Sequence, residues 1–283
     1  MPPKLRILCL HGYAQNATFF RKRTGSLRTS TKAIAEYHFL DAPFPATAAF
    51  LAGGSADDRG EMLSWWQWED AERAATSTEY LGLETTLERV RSCLAEHGPF
   101  DGVLGFSQGA TLAALLCLRP LRAPPFRFAV LISGFVPRDP AHASYFEAPP
   151  LPLPSLHVIG EADERVPPPV CRRLASCFEA PTFHVHDGGH ATPSDAPFRQ
   201  LLKQFIAAQH VGPSAGGGGG ESGGGKSGKN GKGGGGGKGG GSGGDSGDSG
   251  GCGRSLPLED AAADCQYTRA YASWRAIRGV CAA

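Results

Sequence analysis

The run Gly105-Phe106-Ser107-Gln108-Gly109 carries the residue types that acyl transfer needs, in the order it needs them. A G-x-S-x-G turn between a strand and a helix lifts a serine hydroxyl above a sheet. It does so in a strained bend that side chains at the two glycine positions would obstruct. The apolar run Gly102–Phe106 predicts the strand, and Ala110–Leu118 predicts the helix. Free N–H groups at the start of that helix favour negative charge developing beside the serine. Ser107 is therefore the candidate nucleophile.

A serine hydroxyl reacts only when a general base takes its proton, and the base needs an orienting acid. In a strand–turn–helix architecture the chain order is Ser, then Asp or Glu, then His, each just beyond a strand's carboxyl end. Gly160-Glu161-Ala162-Asp163 and Asp187-Gly188-Gly189-His190 both follow apolar runs and stand in that order. They nominate Asp163 as acid and His190 as base, with Glu161 and Glu164 as neighbours able to substitute for Asp163. Asp101 precedes its strand and belongs at the opposite edge. Asp41 comes before the serine, and Asp187 suits the turn. His184 and His186 alternate within one run and share a face, which reads as packing or surface; His11 reads as a residue shaping the first loop. The run His184-Val-His186-Asp187-Gly-Gly-His190 also loosely suggests a zinc site. Further ligands at suitable spacing are not evident, so no metal is expected.

The tetrahedral intermediate of acyl transfer also needs donors for its oxyanion. The N–H of Gln108, directly after the nucleophile, is one. The loop His11–Asn16 follows the first apolar run, and Gly12 in it permits close backbone approach, so the Tyr13 N–H is assigned as the other.

Six apolar runs must position these residues: Leu5–Leu10, Tyr37–Leu40, Gly102–Phe106, Phe128–Ser133, Leu156–Ile159 and Thr182–His186. Helical patterns lie between them, at about 18–35, 79–97, 108–118, 167–178 and 195–209. Leu83, Leu87, Val90 and Leu94, spaced by four, three and four, form one helix face. Short buried strands alternating with helices imply an α/β fold, a mostly parallel sheet of about six strands with helices on both faces. Residues 41–78 break the rhythm with Pro, Gly, acidic residues and three tryptophans, Trp65, Trp66 and Trp68. An insertion at a strand's carboxyl end lies where open α/β sheets bind ligands. Trp65 and Trp66 are accordingly expected to line a substrate groove, which suggests an apolar acyl chain; the competing reading is a surface excursion with core tryptophans.

The chain has 283 residues and 40 glycines, of which 25 fall between Gly212 and Gly253. Residues 1–211 therefore form the one domain with globular composition. Residues 212–253 read as a disordered Gly-rich linker with a root-mean-square span of roughly 35 Å. Residues 254–283 read as a short segment, possible as an amphipathic helix through Tyr267, Ala270, Tyr271, Trp274 and Ile277. Such a helix would offer a protein partner a docking segment in that tail. The formal net charge of +1 gives no general attraction to nucleic acid or to an anionic membrane surface. No apolar run reaches the roughly 18 residues of a membrane span, and the start has no signal-peptide core. None of the eight cysteines forms a CxxC pair, which fits buried thiols in a reducing compartment. A cytoplasmic protein, with the nucleus open, is expected. No cofactor is expected, because there is no G-x-G-x-x-G after the first strand and no Walker lysine in strand–helix context.

Several runs together resemble the FSH family of eukaryotic serine hydrolases. They are Leu8–Asn16 (LCLHGYAQN), Trp65-Trp66, Tyr80–Glu84 (YLGLE), Gly98–Ala110 (GPFDGVLGFSQGA), Ser133–Pro137 (SGFVP), Ser155–Asp163 (SLHVIGEAD), Val166-Pro167 and Gly188–His190 (GGH). The resemblance covers about residues 4–208. It implies an α/β-hydrolase fold lacking the usual first strands, and an esterase or thioesterase acting on acyl esters, without cofactor. The family's triad falls on Ser107, Asp163 and His190, the residues reached above. Ala191 and Ala14 depart from the family's usual bulky and basic residues, so substrate preference does not transfer. Within this class the rival is a thioesterase for acyl-proteins or acyl-carrier proteins, which uses the same site chemistry. A non-catalytic binding module on the same fold would usually lack part of the elbow or triad, and here all parts are present. Deleting 212–283 is expected to leave ester hydrolysis within a few-fold of the full chain, as measured by turnover of a short-chain aryl ester.

Overall fold

The computed structural model describes residues 2–46, 60–68, 77–119 and 125–210. The expected linker 212–253 and terminal segment 254–283 lie outside the described residues, as do parts 47–59 and 69–76 of the tryptophan-bearing insertion.

Six strands build one all-parallel sheet: β1 (Leu5–Leu10), β2 (Ala35–Leu40), β7 (Gly102–Phe106), β8 (Phe128–Ile132), β9 (Ser155–Gly160) and β10 (Thr182–His186). Their spatial order is β10-β9-β8-β7-β1-β2. This is the expected α/β-hydrolase sheet. Three of the six apolar runs coincide with their strands end to end, and the other three differ by one or two residues. The strands are apolar throughout because both faces are covered. Along β1 the residues alternate between two cores. Leu8 and Leu10 join Val103, Leu131 and the buried faces of α3 (Leu83–His97) and α4 (Gln108–Leu118). Ile7 and Cys9 join Leu104, Val130 and Phe198, Leu202 and Ile206 of α7 (Ala196–Ala208). Every residue of α4 from Gln108 to Cys117 is buried, so this helix is apolar all round and lies inside the molecule.

The helical stretch expected at 18–35 is two helices, α1 (Ala17–Arg23) and α2 (Gly25–Thr31). The break falls at Thr24, whose hydroxyl donates to the Phe20 carbonyl and competes with continuation of the helix. The insertion adds pairs of two-residue strands that show no period in the sequence: β3 (Phe44–Pro45) with β4 (Leu63–Ser64), and β5 (Gln67–Trp68) with β6 (Tyr80–Leu81). A short α5 (Pro140–Ala143) and α6 (Pro168–Ala175) complete the described elements. No helix among the described residues is long and apolar enough to cross a membrane.

At the far edge, β10 pairs only with β9 and has no fully buried residue, with Phe183 and Val185 facing outward. Asp101, set aside above, is buried at the amino end of β7; it accepts from the Arg6 N–H and pairs with Arg127.

Two histidines are buried in the folded protein. His157 of β9 rests on Phe178 with its Nε2 beside the Ser155 hydroxyl, and burial lowers its pKa to about 3. His11 is likewise lowered, by burial, to about 4. Both values lie below the unfolded value of about 6.5, so the unfolded chain binds more protons across this window. Stability is then complete above about pH 6.5 and declines as the pH falls towards 4. Urea unfolding between pH 7 and 5 is expected to show this decline, at most about 1.4 kcal/mol per pH unit for each histidine. His157→Leu should make the slope shallower.

Candidate active site

Ser107 stands between β7 and α4 with φ +52° and ψ −117°, a conformation rare for a residue with a side chain. Its N–H donates to the Ile132 carbonyl at 2.8 Å, which pins the turn to the neighbouring strand. The flanking glycines are required by contact. A Cβ on Gly105 would meet the Gly109 carbonyl oxygen at 2.3 Å, and one on Gly109 would meet the Leu10 oxygen at 2.2 Å.

The three residues nominated from sequence meet beyond the carboxyl ends of three strands. His190 Nε2 lies 2.9 Å from Ser107 Oγ, and His190 Nδ1 lies 2.8 Å from Asp163 Oδ2. Asp163 is buried, and its Oδ1 accepts from the Arg165 and Val166 N–H groups at 3.0 and 2.9 Å. Burial alone pushes this carboxyl up. The hydrogen bonds from His190 and the Val166 N–H outweigh it, and the net direction is down. The carboxylate is therefore ionised where it faces the imidazole. Glu161, Glu164 and Asp187 are exposed. Asp41 caps α1, accepting from the Ala17 N–H. The ring of Phe106 lies 4.9 Å from that of His190, centroid to centroid, tilted by 39°. The same ring would touch a Cβ on Gly12 at 2.7 Å, which is why the first loop needs glycine there.

That loop is held beside the elbow. Ala14, at φ +55°, donates its N–H to the Leu63 carbonyl, and Leu63 donates back to Gln15. The Gln15 side chain accepts from the Gly12 N–H. Asn16 caps α1 through the Phe19 N–H. The Tyr13 ring packs on Trp68 at 4.8 Å. Gln108 is the first residue of α4, and its backbone N–H is one of those a helix leaves without an internal acceptor.

Trp65 and Trp66 do not line a groove. Their exposures are 0% and 1%, and both belong to the core over α3 and α4. Each instead ties the site together through polar groups. The Trp65 indole N–H donates to the His11 carbonyl at 2.7 Å. The Gln108 side chain accepts from the Trp65 N–H at 2.9 Å and donates to the Trp66 carbonyl at 3.0 Å. The Thr86 hydroxyl donates to the Trp65 carbonyl. His11 itself accepts from the Ala42 N–H at Nε2 and so donates from Nδ1 to the Gly12 carbonyl, which fixes it as the neutral tautomer. Two roles were invisible in the sequence: the Gln108 side chain as a clamp and the Trp65 indole as a strut. Neither follows from periodicity; an amide next to the candidate nucleophile was the available signal for the first.

His184 and His186 share a face of β10, their rings 6.1 Å apart, and His184 Nε2 is 3.8 Å from Asp195 Oδ2. Among the described residues no group of three His, Cys, Asp or Glu side chains is placed to hold a metal ion.

A parallel sheet with helices on both faces, carrying a hydrogen-bonded Ser–His–Asp set at its carboxyl edge, is the arrangement of α/β-hydrolase serine hydrolases. Residues 1–202 match the family described as Serine hydrolase (FSH1), and the chain belongs to that family and is a hydrolytic enzyme. Among curated relatives it is 37% identical over 222 residues to Esterase OVCA2 of Danio rerio, covering 71% of this chain and 96% of the relative. It is 39% identical over 216 residues to Esterase OVCA2 of Homo sapiens, covering 71% and 95%. Among solved structures it is similar to acyl-protein thioesterase 2 of Zea mays, with TM-score 0.50 and 20% identity, covering 74% of this chain and 95% of that one. Esterase PE8 matches with TM-score 0.51 and 20% identity, over 72% and 92%. These two likenesses extend to the fold.

Trp65→Phe keeps the ring but leaves the His11 carbonyl without its donor. It is expected to cost about 1–3 kcal/mol in urea unfolding, and to lower ester turnover because the first loop is freed beside the elbow.

Proposed function

We propose that the protein hydrolyses carboxylic esters or thioesters through an acyl-enzyme on Ser107. The observation that carries this reading is the continuous hydrogen-bonded run from Ser107 Oγ through His190 to a buried, ionised Asp163. Ser107 Oγ attacks the acyl carbon as its proton passes to His190 Nε2. The N–H groups of Gln108 and Tyr13 receive the oxyanion, charge that exists only in the intermediate and its flanking transition states. His190 then gives the proton to the leaving alcohol or thiol. Water attacks the acyl group with His190 again as base, and the acid departs with Ser107 restored. Asp163 holds the imidazole in the tautomer that presents Nε2 to the serine, and it stabilises the imidazolium.

The substrate is read as a small acyl ester or thioester. With Trp65 and Trp66 in the core, the support for an apolar acyl chain moves to the partly exposed pair Tyr13 and Trp68 beside the first loop. Ester and thioester both suit the chemistry, and turnover across a chain-length series of each distinguishes them.

Ser107→Ala is expected to abolish both ester turnover and labelling by a fluorophosphonate probe, while Asp163→Asn lowers kcat by about 10⁴-fold with labelling slowed accordingly. Persistent labelling at another serine in Ser107→Ala would overturn the assignment.

A further inference from the structure

His190 arrives at the site along a segment that can do little to fix its own course. Two of the three residues between His186 and His190 are glycines, which have the freest backbone and no side chain to anchor. The third, Asp187, is exposed. What holds the segment must reach it from outside.

Hydrogen bonds from two directions do so. The loop that carries Asp163 supplies one set: the Glu161 N–H donates to the His186 carbonyl at 2.8 Å, and the Ala162 N–H donates to the Gly188 carbonyl at 3.2 Å. The other comes from a side chain. The Gly188 N–H donates to His186 Nδ1 at 3.1 Å. Gly188 is thus held by both its polar groups, its carbonyl by the loop of the acid and its N–H by the imidazole at the end of β10. The packing leaves little slack. A Cβ on Gly160, which lies opposite His186 in the sheet, would meet the Gly188 carbonyl oxygen at 2.5 Å and His186 Cε1 at 3.2 Å.

The other nitrogen of the ring shows what the imidazole is there to supply. Because Nδ1 accepts, it carries no proton, and the proton of the neutral ring sits on Nε2. Nε2 is buried and has no hydrogen-bond partner among the described residues. A buried N–H left in that way is destabilising. An apolar side chain would avoid that penalty, but it would leave the Gly188 N–H without its acceptor. The polar contribution of this ring is therefore the bond to Gly188.

From this geometry we infer that His186 is a positioning residue for His190: its Nδ1 fixes the Gly188 peptide, and with it the turn that delivers the base to Ser107 and Asp163. The inference rests on the proposed roles of those three residues. His186 acts through the base alone. Because His190 works as base and acid in both acylation and deacylation, misplacing it slows both steps together and leaves KM unchanged.

The test compares His186→Ala with His186→Asn in the full chain. An asparagine Oδ1 stands two bonds from Cβ, as Nδ1 does, and readily accepts from the N–H two residues further on. Both variants lose the ring, so only the acceptor separates them; a packing role would lower both alike. The expected result is a kcat about tenfold below the parent for Ala, with unchanged KM, and a kcat within about threefold of the parent for Asn. In the His190→Ala background, His186→Ala should cost nothing further, because both changes disable one unit. A kcat within about twofold of the parent for Ala, an Asn variant no better than Ala, or a full tenfold cost retained in His190→Ala would each overturn the inference. Should Ala fail to fold, Asn alone decides: a folded Asn variant more than about tenfold below the parent overturns it. A His190→Ala enzyme with undiminished kcat would instead overturn the triad on which the inference rests.

Discussion

The structure depends on one backbone constraint: Ser107 is held at positive φ between a strand and a helix that both lie in the core. Such a turn does not persist alone. It needs the absence of Cβ atoms at 105 and 109, the grip of the Ile132 carbonyl, and a helix buried along nearly its whole length. Each requirement reaches further. The approach of Gly109 to the Leu10 and His11 carbonyls brings the end of β1 against the start of α4. The first loop is thereby delivered to the start of α4. The proposed nucleophile and the proposed oxyanion donors are thus brought together by the same close contact.

Polar groups inside the apolar core then fix the details. The Trp65 indole, the Gln108 amide, the Thr86 hydroxyl and the neutral His11 ring join the insertion, the elbow and the first loop by hydrogen bonds that solvent does not reach. In a medium of low dielectric such bonds are strong when complete and costly when broken. The same environment acts oppositely on the titratable groups. His11 and His157, which gain no counter-charge able to offset burial, stay neutral. Asp163, surrounded by donors, stays charged.

Much of this was legible in the sequence because it is written in local patterns. The short apolar runs match the strands because a doubly covered parallel sheet needs them apolar on both faces. Ser107, Asp163 and His190 could be nominated because each follows a strand and the chain order of such residues is constrained by the fold. The tryptophans were misplaced for a physical reason. An aromatic residue is equally at home against a ligand and against a helix, and the two-residue strands around Trp65 and Trp66 leave no period to tell which. The division of the first long helix turned on one threonine hydroxyl.

The proposed base reaches the site from an edge of the sheet. His190 follows β10, an edge strand with a single neighbour and no wholly buried side chain, whereas Ser107 follows β7, packed between two strands. Proteins open piecemeal, and edges open before centres. On the proposed role of His190, turnover depends on β10 and its following loop holding the imidazole in place, and not on the two cores alone.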